Sequence, residues 1–292
     1  MSQSVSVNFA QKFRADYMLL SQQKTSRFRP FVRDDPDSLS GKYGHFNRIG
    51  ATEMVKNTTR HADTPLVEQD HSRRRVSMDD WDWADLIDRQ DIMRVMGNPQ
   101  NSYVRNAVMA AMRNEDKIIL AAANGTAYSI DEDDAATGVA LPSSQQIAAS
   151  STGLTLAKMI ETLEILNAAE AADEDSNIVF AYSAKQVTDL LGITEFKSAD
   201  FNSGKPPTTG LRVGGNFLGF TLVRSELLTK SGSDRKCLAW TQDAIGIALG
   251  EELFVDIGPR RDKRMSEQVY VAQTMGAVRV EDAKVVEISC QE

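Results

Sequence analysis

The chain has little of what marks a secreted, membrane-spanning or metal-centred protein. Among 292 residues there are 2 cysteines and 3 histidines. Cys237 and Cys290 match no zinc spacing and make no disulfide framework, so a reducing, cytosolic setting is the expectation. No apolar run approaches the roughly 20 residues that cross a bilayer, and the longest candidate, IILAAA from Ile118, falls far short. The opening MSQSVSVNFAQKFRADYMLL lacks a basic region leading into an apolar core and a small-residue cleavage site, so export is not expected. Without it, the glycosylation patterns at Asn57 and Asn124 read as chance matches. Basic charge is in deficit too: 33 Lys and Arg stand against 41 Asp and Glu, a net charge of -8 that disfavours a general nucleic-acid binder or a polybasic membrane protein.

Catalytic signatures are missing as well. There is no GxxxxGK[ST], and Gly204-Lys205 is followed by two prolines that remove the N–H groups a phosphate cradle needs. Gly214-Gly215-Asn216-Phe217-Leu218-Gly219 is not GxGxxG, and neither GxSxG nor HExxH occurs. The histidines, His45, His61 and His71, all fall between Gly41 and Asp88. His61 with Asp63, and His71 with Asp70, offer imidazole and carboxylate ligands, but at a spacing that any polar loop provides. A metal-dependent hydrolase built on these four, or on the Asp79 to Asp88 cluster, is the rival of a different class. No catalytic, cofactor-binding or metal-ligating residue is assigned.

What remains reads as a soluble α+β protein, 41% apolar and 7% aromatic. Residues 1–40 read as an arm that lies on a neighbouring subunit. Its Phe28 and Phe31 alternate with basic residues, but Asp34, Asp35 and Asp37 offset the charge that single-stranded nucleic acid would need. Gly41 to Asp88 reads as a long hairpin returning through RRRVSMDDWDWADLID, in which Trp81 and Trp83 share one strand face and bury while Asp80 and Asp82 stay wet. Asn98-Pro99 opens a helix to Asn124-Gly125, a spine of roughly 37 Å. Residues 125–154 read as a loop. Leu156, Met159, Ile160, Leu163 and Leu166 then stripe a second helix, NIVFAYS is a buried strand, and Ser183 to Gln186 is a capping box. Five strand-like segments follow, from NFLGFTLVRS to AKVVEIS.

Charge blocks suit this chain to meeting copies of itself. Arg73, Arg74 and Arg75 adjoin Asp79, Asp80 and Asp82, and the turn RRDKR carries Arg260, Arg261 and Arg264. Paired positive against negative, such blocks fix register between subunits more than they add affinity. These nine residues are the candidate intersubunit contacts. Arg74→Glu is expected to block or misdirect assembly and leave the subunit folded.

The order of elements resembles the major capsid proteins of tailed bacteriophages, the Hong Kong ninety-seven type of fold. The resemblance runs over nearly the whole chain. It is strongest in GHFNRIGATEMVKNTTRHADTPLVEQDHSRRRVSMDDWDWADLID, in NPQNSYVRNAVMAAMRNEDKIILAAANG and in the closing GAVRVEDAKVV. It implies an arm over residues 1–40 and an extended loop over 41–80. It also implies a peripheral domain, residues 81–154 and 251–292 with a spine helix at about 99–124, and an axial domain over 155–250. By the same likeness, subunits would tile as hexamers and pentamers into an icosahedral shell around double-stranded DNA, without enzymatic turnover or sequence-specific DNA contact. The partners implied are a separate scaffolding protein, a portal and decoration proteins, with assembly in the host bacterial cytoplasm. Some relatives join lysine to asparagine between subunits. Lys56 is the loop's one lysine past Lys42, no partner matches, and non-covalent assembly is the expectation. Encapsulin compartments, which enclose enzymes, are the rival that keeps the fold.

Overall fold

A computed structural model describes residues 21–34, 38–60, 63–88, 99–130, 135–172, 177–197, 208–209, 212–213 and 215–292. The chain begins with strands Ser38–Ser40 (β1), Tyr43–Ile49 (β2), His71–Ser77 (β3) and Asp79–Ile87 (β4), then helix Pro99–Asn124 (α1). Strands Ala127–Ile130 (β5), Ala136–Val139 (β6) and Gln146–Ile147 (β7) precede helix Leu156–Ala168 (α2). Strand Ile178–Tyr182 (β8) leads to helices Ala184–Gly192 (α3) and Thr194–Lys197 (α4). The short strands Thr208–Thr209 (β9), Arg212–Val213 (β10), Asn216–Phe217 (β11), Phe220–Arg224 (β12) and Lys230–Ser231 (β13) follow. The chain closes with Asp234–Thr241 (β14), Ile245–Arg260 (β15), Ser266–Arg279 (β16) and Val285–Gln291 (β17).

Two compact units result. One takes Asp79–Asp116 and Leu249–Met275 with the described residues up to Arg27; the other takes Phe28–Met78, Lys117–Ala248 and Gly276–Glu292. In the first, β4 pairs antiparallel with β16, which also carries β15. In the second, β1-β2-β3-β5-β6 form one sheet, and β11-β12-β8-β14-β17-β7 another, with β13 on β14. All five residues of β8 are buried, which explains its unbroken apolar run: the strand is central and covered on both faces. The closing strand β17, expected with the peripheral elements, lies between β14 and β7 in this sheet.

Local chemistry sets the boundaries. Pro99 opens α1 at the position where a missing N–H costs nothing, while Asn98 lies outside the described residues. The helix ends where the Gly125 N–H donates to Ala121 O at 2.8 Å, and a Cβ at 125 would stand 2.5 Å from that oxygen. The capping box of Ser183 and Gln186 is formed. Residues 125–154 hold more order than a loop, since β5 and β6 make a hairpin whose first strand pairs with β3.

The returning stretch RRRVSMDDWDWADLID is two strands in two sheets, not one. Arg74, Val76 and Met78 point into a core with Phe46, Ala127, Ala248, Val278 and Val280. The chain changes sheets after Met78, whose N–H donates to Lys42 O. Gly276 sits beside this crossing, where a Cβ would fall 1.9 Å from Ser77 O. Of the expected arm, residues 1–20 and 35–37 lie outside the described residues, and the stretch around Phe28 packs inward. Phe28 is fully buried with its ring 5.4 Å from that of Trp240, whose indole N–H donates to Phe31 O at 3.0 Å. Apolar surface of this size is buried within the subunit's own core.

Buried charge fastens the root of the β2–β3 hairpin. Arg279, fully buried, donates Nη1 to Ala123 O and Gly125 O, Nη2 to Val139 O, and Nε to Asp282 at 2.5 Å. The other Asp282 oxygen takes Nη2 of Arg74, which is 2% exposed. Burial pushes the Arg74 guanidinium below its ordinary pKa; Asp282 opposes this, and Arg48 and Arg279 add to it. A second fastening lies in the β17 sheet. Glu292 accepts from Arg235 at 3.0 and 3.1 Å, Lys230 at 3.1 Å and Ser183 at 2.7 Å. Burial alone would raise its carboxyl; the bonds from Arg235, Ser183 and Lys230 outweigh it and hold the group down at about 2.

The Arg74→Glu expectation therefore changes. A second carboxylate beside Asp282 is expected to cost about 3–5 kcal/mol of subunit stability, against less than about 1 kcal/mol for exposed Arg73→Glu, in chaotrope unfolding of the purified chain. Glu292 is depressed from 4.5 to about 2, so its contribution is present above 4.5 and disappears as pH falls through 2. Screened by the solvent that still reaches it, it is worth about 1–2 kcal/mol. Glu292→Gln should be less stable at neutral pH and flatter across that window than the parent, in unfolding curves taken at stepped pH.

Candidate functional site

The most exposed segment of the described chain starts at the hairpin. Beyond its neck, closed by the Gly50 N–H on Asp70 O at 2.8 Å, residues 51–60 and 63–70 form neither helix nor strand and are exposed throughout. Met54 and Leu66 are 101% and 94% exposed, and Ile49, Val55 and Val67 also face outward. Lys56 is exposed on the same loop. Long structureless loops in compact proteins are characteristically binding elements. Beside the neck lies a cleft of about 540 Å³ whose lining includes Arg33, Arg48 and Lys284 with Asp70, Asp243 and Glu281, a balanced set of charges.

The arginine and aspartate blocks part company in the fold. Alternation along β3 turns Arg74 inward and Arg73 and Arg75 outward. Arg75 lies 4.6 Å over the Tyr43 ring, and Arg73 is exposed. Both are placed to meet another surface, whereas Arg74 is committed to its own subunit. Asp79, Asp80 and Asp82 belong to β4, in another sheet and the other compact unit. They are exposed there; Thr274 donates to Asp80 at 2.7 Å and Tyr270 to Asp82 at 2.6 Å. The Tyr270 hydroxyl is raised above its ordinary pKa, first by that bond to Asp82, then by burial and by the charges of Asp82, Glu251 and Asp80.

The tryptophans do not bury as expected. Trp81 is 44% exposed and Trp83 half-buried, because the helix residues opposite them, Ala107, Ala110 and Ala111, are too small to fill the space and leave a cavity of about 190 Å³. On the far edge strand, Phe254, Val255 and Ile257 are exposed at 47%, 39% and 44%. At the β15–β16 turn, Arg260 is tied to Asp262 at 2.7 and 2.8 Å and to Gln268 at 3.0 Å, and this arginine holds the aspartate at about 2. Arg261 and Arg264 are exposed and pair with no described residue.

For a metal centre the geometry offers little. His61 lies outside the described residues, Asp63, Asp70 and His71 are exposed, and among the described residues no group of three or more His, Cys, Asp or Glu could hold an ion. Sequence reasoning missed Arg279, Asp282, Lys158 and Glu292. Lys158, 6% exposed, donates to four carbonyls, Ala149, Thr152, Gly153 and Ser289, at 2.9–3.1 Å. Lys158 stands off the apolar stripe read from the sequence, whose Ile160 is instead 50% exposed, so the periodicity gave no signal for it.

Solved structures of similar fold include phage capsids. A chain of Mycobacterium phage Che8 superposes with a TM-score of 0.68 at 17% identity, over 96% of this chain and 97% of that one. The capsid of Ralstonia phage GP4 gives 0.68 at 13%, over 97% and 95%. The cyanophage Pam1 capsid asymmetric unit gives 0.67 at 12%, over 100% and 98%. No curated protein sequence matches. The family described as phage capsid protein matches residues 5–292. A match over nearly the whole length, on a chain that folds as phage capsid subunits fold, settles the family: the chain belongs to the phage capsid proteins, and its fold is consistent with the Hong Kong ninety-seven type.

Proposed function

We propose that this capsid protein is the major head subunit of a tailed phage, which closes as hexamers and pentamers into an icosahedral shell around double-stranded DNA. The observation that carries the reading is the hairpin loop. A subunit that stayed alone would gain nothing from holding Met54, Val55, Leu66 and Val67 in water on a projecting loop, with Phe254, Val255 and Ile257 exposed on an edge strand. Covered by neighbours, the same side chains contribute about 25 cal/mol for each Å² removed from water. The net charge of -8 suits a wall that encloses DNA without gripping it.

On this reading the protein works by burial and register, not by turnover. A separate scaffolding protein sets curvature during assembly in the host bacterial cytoplasm, and a portal and decoration proteins complete the head. Lys56 forms no covalent link. The family match favours neither an enzyme-filled compartment nor a hydrolase.

The test is sedimentation followed by electron microscopy of the chain expressed alone and with its neighbouring genes. Closed shells, tubes or hexamer sheets that enclose nucleic acid when the packaging genes are present are expected. Small monodisperse particles in both samples would contradict the shell, and shells filled with a co-expressed enzyme would contradict the cargo.

A further inference from the structure

The turn between β15 and β16 places four cations, Arg260, Arg261, Lys263 and Arg264, around a single carboxylate, Asp262. Arg260 is taken up by Asp262, and Asp88 and Glu267 sit at the base, Asp88 accepting from Ser266 at 2.6 Å. Arg261, Lys263 and Arg264 stay exposed, with Lys263 near enough to Asp262 to help lower its carboxyl. The turn is braced by the Lys263 N–H and the Met265 N–H on Arg260 O at 3.2 and 3.0 Å. Arg264 and Met265 hold φ of 53° and 60°, the left-handed region that glycine enters freely and other residues enter at about 1–2 kcal/mol each.

The same sheet carries the complementary surface. Asp80 and Asp82 project from β4, fixed by Thr274 and Tyr270, and Glu251 of β15 lies near enough to act on the Tyr270 hydroxyl. Phe254, half-exposed, packs edge-on against Tyr270 with ring centroids 6.4 Å apart. Carboxylates held beside aromatic rings are what a guanidinium prefers: it pairs with the first and stacks on the second. Within one subunit the two halves cannot meet. Ser266 at the turn and Ala272, the cross-strand neighbour of Asp82, are separated by roughly 20 Å of strand. That exceeds the Debye length of about 8 Å at physiological salt.

We propose that the Arg261, Lys263 and Arg264 turn of one subunit docks on the Asp80, Asp82 and Glu251 face of a second copy, a head-to-tail contact that repeats from subunit to subunit. The inference rests on the shell reading above. A heterologous contact of this kind closes into rings when its rotation permits, and its ionic groups set register and reject misplaced neighbours.

Two measurements test it. Wild-type particles treated with a carbodiimide should yield an amide between the Lys263 amine and the carboxyl of Asp80, Asp82 or Glu251, with loss of one water, found by peptide mass spectrometry. Arg261→Glu with Arg264→Glu should lower particle yield by on the order of tenfold. Adding Asp80→Lys and Asp82→Lys to that variant should restore yield, while circular dichroism and melting show all chains folded. Normal shells from the turn variant would overturn the contact, and so would normal empty shells that package less DNA, which would assign the turn to nucleic acid. Restoration that fails although each chain is folded would overturn the pairing. Wild-type chain that never forms particles would overturn the shell reading itself.

Discussion

The hairpin of this subunit is anchored at its root by one carboxylate. Asp282 accepts from Arg279 on one oxygen and from Arg74 on the other, and Arg279 spends its remaining donors on the end of α1 and the end of β6. Three segments far apart in sequence are thus tied to the returning strand of the hairpin. An ion group this buried gains little over an apolar replacement, but losing one member strands the others in a medium that penalises unpaired charge. Its value is geometrical, since it admits one arrangement of the hairpin root.

A rigid root and a free tip together explain the division of labour along the chain. Phe46, Val76 and Met78 bury the root, and the loop past Gly50 has no such support within the subunit. On the proposed reading, the apolar side chains that the loop leaves in water alone are covered on association, which would couple the burial of the loop to assembly. The β15–β16 turn follows the same logic with charge in place of apolar surface. Because two oppositely charged patches belong to one sheet, each copy carries both halves of a repeatable contact.

Much of the fold was legible because it depends on local chemistry. Pro99, Gly125, the Ser183 to Gln186 box and the apolar run of β8 each act within a few residues, and the structure has them as read. What the sequence hid is long-range. Nothing near Arg74 announces that Asp282, 208 residues away, will claim it, so a block of three arginines read as one surface when alternation had divided it. Phe28 and Val32 looked like an arm because their partners, Trp240 among them, are remote. The change of sheet after Met78 was hidden for the same reason: β4 finds its partner in β16, and a two-residue period cannot say which sheet a strand will join.

Hydrogen–deuterium exchange on free subunits and on assembled particles tests the central claim most directly. The account predicts that amides of Tyr43–Ile49 and His71–Ser77 are protected in both states, while those of residues 51–60 and 63–70 exchange at once in the subunit and slow in the particle. Fast exchange of the hairpin strands in free subunits would contradict the anchored root, and a loop that exchanges equally fast in both states would contradict its burial by neighbours.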